Sequence, residues 1–78
     1  MEKAIYSQKS EVLRKALIET RNSKNLSIRD LAKILEIHHS IVGKIETGER
    51  QINVIEFIEY CQALEIDPAD IINLLKKL

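Results

Sequence analysis

With 78 residues the chain can form one domain, whose core alone supplies roughly a few kcal/mol of net stability. Hydrophobic residues make up 45% of the chain and charged residues 31%, which excludes intrinsically disordered and fibrous proteins. The net charge is zero, but residues 1–34 carry eight basic and four acidic side chains, whereas residues 35–75 carry two basic and eight acidic ones, so that one face can still be basic.

Helical periodicity near 3.6 residues appears in five segments, and no segment alternates as a strand would. An all-α protein of five helices is therefore predicted. The first helix is expected from about Ser10, as N-cap, to Asn22, and Asn25 is suited to the left-handed conformation that ends a helix. Residues 1–9 are then expected to form an N-terminal arm, and residues 10–78 a single domain.

The second helix is short and has its own start signal. Ser27 can cap it, with Asp30 three residues later, and the apolar spacing predicts a helix from Ile28 to Leu35. The next helical pattern begins at His39, after only three intervening residues. Two short helices joined in this way cross at a steep angle, which is the helix-turn-helix geometry.

The third helix is predicted from about His38, at the N-cap position, to Glu46, with Gly48 in the left-handed position that ends it. A helix that enters the DNA major groove needs polar groups for the base edges and no acidic residue facing the phosphates. The outward positions satisfy this requirement, with the lysine as the best candidate for a guanine contact: His39, Ser40, Gly43 and Lys44. The alternative is an ordinary solvated helix surface.

Asn53, with Glu56 three residues later, is expected to cap the fourth helix, and Asp67-Pro68 is expected to open the fifth. Apolar residues recur at helical spacing along the fourth helix and make it unusually apolar: Ile55, Ile58, Cys61 and Leu64, with Val54, Phe57 and Tyr60 beside them. These two helices carry more large apolar residues than one small core needs. The surplus predicts a dimer interface that includes Phe57, Ile72, Leu75 and Leu78.

The chain resembles the phage Cro/cI-type repressor family, also called the XRE family, from roughly Leu13 to Leu75. The motif that carries the resemblance is Leu31-Ala32, then Ile37, then Ile45-Glu46-Thr47-Gly48. The resemblance implies a compact five-helix bundle of the lambda-repressor-like type. It also implies that the outward residues of the third helix read bases, and that Arg21 and Glu46 form an internal ion pair that orients this helix.

By the same resemblance, the positions that contact DNA phosphates are Ser27, His38, Thr47 and the loop around Arg50. The family often has a glutamine phosphate anchor where this chain has Ile28, so this anchor is lost or moved to Arg29. The family usually has a glycine where this chain has Glu36, in a turn with positive φ. A glutamate in this conformation is expected to cost about 1 kcal/mol.

The expected function is sequence-specific binding of double-stranded DNA by a homodimeric transcription regulator, in the simplest case a repressor on a palindromic operator. The rival expectation is a protein-interaction module of the same fold, such as an antitoxin that binds a toxin. The neutral net charge, the isoleucine at position 28 and the apolar fourth and fifth helices favour this rival.

Other classes of function find no support in the sequence. No phosphate loop, nucleophile elbow or paired acid and base indicates an enzyme, and no cofactor is expected. The adjacent His38 and His39 diverge by about 100° on a helix, which argues against a shared metal ion. Cys61 has no cysteine partner and is expected to be buried. No apolar run is long enough for a membrane helix or a signal peptide, so a cytoplasmic location is expected.

Overall fold

The computed structural model describes residues 3–78, with side chains described from Gln8 onward. This part of the chain contains five α-helices and no strand, which confirms the predicted all-α class. None of these helices has the length and apolar character required to span a bilayer. The helices are α1 (Lys3–Ser23), α2 (Ile28–Leu35), α3 (His39–Thr47), α4 (Val54–Leu64) and α5 (Pro68–Lys76).

Helix α1 begins at Lys3, so the predicted start at Ser10 was wrong, and residues 3–9 of the expected arm are helical. No glycine or proline lies between Lys3 and Ser10 to stop the helix from extending towards the N-terminus. Ser10 lies inside the helix, where its hydroxyl donates a hydrogen bond to the Gln51 side chain at 3.2 Å instead of capping a helix end.

The starts of α2 and α4 are capped as predicted, each by a pair of side chains. The Ser27 hydroxyl accepts from the Asp30 N–H at 3.0 Å, and the Asp30 carboxylate accepts from the Ser27 N–H at 2.9 Å. Asn53 and Glu56 form the same reciprocal pair, at 2.8 and 3.0 Å. These caps satisfy N–H groups that a helix start leaves without partners, and so they set where both helices begin.

The turns after α1, α2 and α4 are made by non-glycine residues with positive φ. Asn25, Glu36 and Glu65 have φ values of 59°, 57° and 59°. For a glutamate this left-handed conformation costs about 1 kcal/mol, so the turns at Glu36 and Glu65 are maintained by the packing of the helices on both sides, whereas asparagine adopts it more readily.

The core contains residues from all five helices, and α4 contributes the largest share. Its buried residues are Phe57, Tyr60, Cys61 and Leu64, whereas Ile55 and Ile58 are 69% and 38% exposed. The predicted burial of Cys61 is confirmed. Both faces of α4 are apolar, so its hydrophobic periodicity does not indicate which face packs against the other helices.

The expected dimer surface on α4 and α5 is only partly exposed. Phe57 is only 7% exposed and belongs to the core of the protomer, so its assignment to an exposed surface was wrong. Ile72 and Leu78 are each 43% exposed, and Leu75 is half-buried. Ile72 and Leu75 line an apolar groove between α1, α4 and α5, together with Leu13, Ile52, Asn53, Val54 and Phe57.

Candidate nucleic-acid interface

Helices α2 and α3 are joined by a three-residue turn, residues 36–38. Glu36 takes the left-handed conformation that ends α2, and the N–H of Ile37 donates to the Ala32 carbonyl at 3.1 Å. His38 then has extended backbone angles and serves as the N-cap of α3. The predicted short connection is therefore present.

The two histidines lie together at the start of α3. His38 Nδ1 accepts from the backbone N–H of Ser40 at 3.1 Å, and the two imidazole rings stack with centroids 4.4 Å apart. Because Nδ1 accepts, the proton of a neutral His38 ring lies on Nε2, which remains a donor. Desolvation lowers the pKa of His39, with smaller contributions from the charges of Arg29 and His38. A neutral His39 is able to donate or to accept at a base edge.

The outward surface of α3 is formed by His39, Ser40, Gly43 and Lys44, which we call the reading face. These positions share one side of the helix, and Val42 and Ile45 are buried on the other side. Ser40 and Lys44 are exposed, and His39 and Gly43 are half-buried. A Cβ atom at the glycine would meet nothing within 4 Å, so the reading face is flat there and its backbone can be approached closely.

Arg21 and Glu46 form a bidentate ion pair between α1 and α3. Arginine Nε donates to Oε2 at 2.7 Å and Nη2 donates to Oε1 at 2.9 Å. Arg21 Nη1 also donates to the Leu26 carbonyl at 2.8 Å, in the loop that leads into α2. Both side chains are about nine-tenths buried, and the hydrogen bond to Glu46 raises the pKa of Arg21. One guanidinium thus fixes the C-terminal end of α3 relative to α1 and the start of α2.

The expected phosphate-contacting residues lie at both ends of the helix-turn-helix. Ser27 and Arg29 are exposed at the start of α2, and the charge of Arg29 contributes to lowering the pKa of His39 at the start of α3. Thr47 is exposed at the other end, and its hydroxyl donates to the Lys44 carbonyl at 3.1 Å. The structure therefore places Arg29 and His38 near the start of α3 and Thr47 with Arg50 at its end, whereas Ser27 is the N-cap of α2.

Arg50 is engaged in an ion pair that the sequence analysis did not predict. Its Nη1 and Nη2 atoms donate to the two carboxylate oxygens of Glu56, at 3.1 and 2.6 Å. The pairing with Arg50 lowers the pKa of Glu56, as does the hydrogen bond from Asn53. The only signal in the sequence is an arginine a few residues before a capping-box glutamate. The charge of Arg50 is therefore largely compensated within the protomer.

Comparison with known proteins identifies the family. A helix-turn-helix family model matches residues 17–71. An XRE-family like protein from Pseudomonas syringae pv. tomato str. DC3000 superposes with a TM-score of 0.91 at 31% identity, covering 96% of this chain and 92% of that one. The chain belongs to the XRE family of helix-turn-helix proteins. This family places it among DNA-binding transcription regulators.

The XRE fold of this chain is also similar to a solved structure of lower sequence identity. The clp gene regulator ClgR from C. glutamicum superposes with a TM-score of 0.78 at 23% identity, covering 88% of this chain and 90% of that one. No curated protein matches the sequence. The five-helix arrangement is therefore that of XRE proteins over nearly the whole chain.

Proposed function

We propose that this XRE-family protein is a sequence-specific repressor that binds a palindromic operator as a homodimer, with residues 38–46 in the major groove. The observation that carries the proposal is the reading face of α3. It presents an imidazole, a hydroxyl, an open glycine and an ammonium group on one side of the helix, and none of its four residues is acidic. This is the chemistry that base edges in the major groove require.

The four residues of the reading face are proposed to have different roles. Lys44 donates to guanine O6 or N7, and Ser40 and His39 form shorter polar contacts near the N-terminal end of α3. Gly43 leaves room for a thymine methyl group or for close approach of the helix backbone. Phosphate contacts by Ser27, Arg29, His38, Thr47 and Arg50 then set the register of the helix on the duplex.

Replacing Lys44 by alanine tests the reading face. On the operator, identified by selection from random duplexes, Lys44→Ala is expected to cost about 1–3 kcal/mol, with a much smaller effect on non-specific DNA. Fluorescence anisotropy on both duplexes at two salt concentrations measures the difference. Lys76→Ala on α5, outside the helix-turn-helix, serves as the control. Equal losses on both duplexes would assign Lys44 to a phosphate instead of a base.

A homodimer follows from the size of the protein, because one domain contacts about one half-site and palindromic half-sites lie about 34 Å apart. The proposed interface consists of the groove between α1, α4 and α5 and of two exposed apolar side chains, Ile72 on α5 and Leu78 after its end. Phe57 lies at the groove, where a second copy would contact the small part of its surface that remains exposed.

The charge-introducing variant Ile72→Asp tests this interface, because a buried carboxylate without a partner opposes association. Sedimentation is expected to show a dimer for the wild type and a monomer for Ile72→Asp at high micromolar concentration. Ile34→Asp is the matched control, since Ile34 is 52% exposed on α2, away from the groove. A wild type that remains monomeric, or a dimer that only Ile34→Asp dissociates, would rule out this interface.

The second candidate function is binding to a partner protein, such as a toxin. It is favoured by Val54 and Ile55, which are 74% and 69% exposed at the start of α4. Together they expose more apolar surface than a small regulator needs. Titration of the protein with the DNA upstream of its own gene separates the candidates. Specific DNA binding that weakens with salt supports the repressor. The absence of DNA binding, together with tight binding to a partner protein, supports the interaction module.

A further inference from the structure

The guanidinium of Arg14, from α1, lies directly against the residue that ends α3. A Cβ atom built on Gly48 would stand 3.0 Å from Arg14 Cζ and 3.1 Å from its Nε. Gly48 has a φ of 84°, a conformation that side chains rarely adopt. The glycine thus both ends α3 and leaves space for the arginine beside it.

Neutral polar groups hold this guanidinium in place. Arg14 Nη1 donates to the Ser10 hydroxyl at 3.1 Å, and that hydroxyl donates to Gln51 Oε1 at 3.2 Å. The loop that carries Gln51 is itself closed onto α3, because the Arg50 N–H donates to the Lys44 carbonyl at 3.2 Å. Arg14 is therefore connected by hydrogen bonds to the loop that follows α3.

The charge of Arg14 is not compensated in the same way as those of the other arginines nearby. Arg21 pairs with Glu46, and Arg50 pairs with Glu56. Among the side chains described from Gln8 to Leu78, no carboxylate oxygen lies within 4 Å of Arg14. A guanidinium has several N–H donors, and the hydrogen bond to Ser10 uses only one of them.

We propose that Arg14 binds a phosphate group of the DNA backbone at the C-terminal end of the reading helix. This inference rests on the proposed DNA-binding function and adds a contact from α1 to it. The last carbonyls of α3 and the exposed Glu49 make this end of the helix negative, so a phosphate there needs a compensating cation. Arg50 shares its charge with Glu56, whereas Arg14 is held in position, without a carboxylate, for bidentate contact with phosphate oxygens.

The salt dependence of DNA binding tests this proposal, because each phosphate contact contributes about 0.9 to the slope of log K against log salt. Arg14→Gln keeps a side chain that can hydrogen-bond to Ser10 but removes the charge. It is expected to reduce the slope by about 1 and to weaken binding to operator and non-specific DNA alike, by about tenfold. Arg14→Lys is expected to keep the wild-type slope, because it keeps the positive charge.

The matched control is Lys15→Gln, which removes a charge from the neighbouring exposed position of α1 and should leave the slope unchanged. Thermal unfolding of all variants identifies any loss of folding, and Arg14→Met, which also removes the charge, is measured in place of Arg14→Gln if that variant unfolds. An unchanged slope in Arg14→Gln, while Lys44→Ala still weakens binding to the operator more than binding to non-specific DNA, overturns only the Arg14 contact. No DNA binding by the wild type overturns this contact and the proposed function together.

Discussion

Replacing Glu46 by alanine is expected to destabilise the protein by about 3 kcal/mol or more, since it leaves the guanidinium of Arg21 buried without its carboxylate. Arg21 is only 9% exposed, so water cannot replace the lost partner. A domain of this size has only roughly a few kcal/mol of stability, and the variant should be largely unfolded at 25 °C. Urea unfolding followed by circular dichroism measures the loss.

The double variant Arg21→Met with Glu46→Leu separates stability from orientation. Because both charges are removed together, no buried ion remains unpaired, and most of the stability is expected to return. The hydrogen bond from Arg21 to the Leu26 carbonyl is also lost, so α3 is less firmly oriented relative to α2, and operator affinity should stay below that of the wild type. A Glu46→Ala variant whose free energy of unfolding is less than about 1 kcal/mol below that of the wild type would contradict this role, because a loss of about 3 kcal/mol is expected.

Replacing Gly43 by glutamate is expected to abolish DNA binding and leave the fold intact. The new side chain meets no atom within 4 Å at its Cβ, so it disturbs no packing, but it places a carboxylate on the reading face. A like charge held against DNA costs several kcal/mol, which corresponds to a loss of at least about 100-fold in affinity. Anisotropy titration with operator DNA and a thermal melt measure the two effects separately.

Gly43→Ala is the matched control for this experiment. Alanine in place of glycine inside an exposed helix should raise the stability by about 1 kcal/mol. Its effect on operator binding reports whether position 43 touches a base, because the only change is one methyl group on the reading face. Operator affinity that is unchanged in Gly43→Glu would show that DNA is bound through another surface.

The structure helps to explain how a protein without net charge can bind a polyanion. Seven of the eight basic residues of residues 1–34 lie on α1 and α2, and five of the eight acidic residues of residues 35–75 lie on α4, on α5 or in the turn between them. Several of the charges are compensated within the protomer, as in the pairs Arg21–Glu46 and Arg50–Glu56. In the proposed complex with DNA, exposed Arg29 and Lys44 and half-buried Arg14 contribute more to the affinity than the net charge suggests.

Much of the fold could be predicted because helix starts and ends depend on neighbouring residues. Ser27, Asn53 and Asp67 each bind an N–H group two or three residues away, so their roles can be recognised in a short stretch of sequence. The start of α1 was missed because Ser10 has the residue type of a cap, and nothing in the sequence shows that its hydroxyl is used by Gln51.

The sequence by itself determined the five helices, the helix-turn-helix and the residues on the outer face of α3, since these depend on hydrogen bonds and periodicity within a few turns of helix. Only the tertiary structure decided which apolar face of α4 is buried, because Phe57 and Ile55 have similar hydrophobicity and packing selects between them. It also decided that Arg50 pairs with Glu56 and that Arg14 lies against Gly48. Such contacts depend on where the packing of the helices places each side chain, and residue type alone does not specify this.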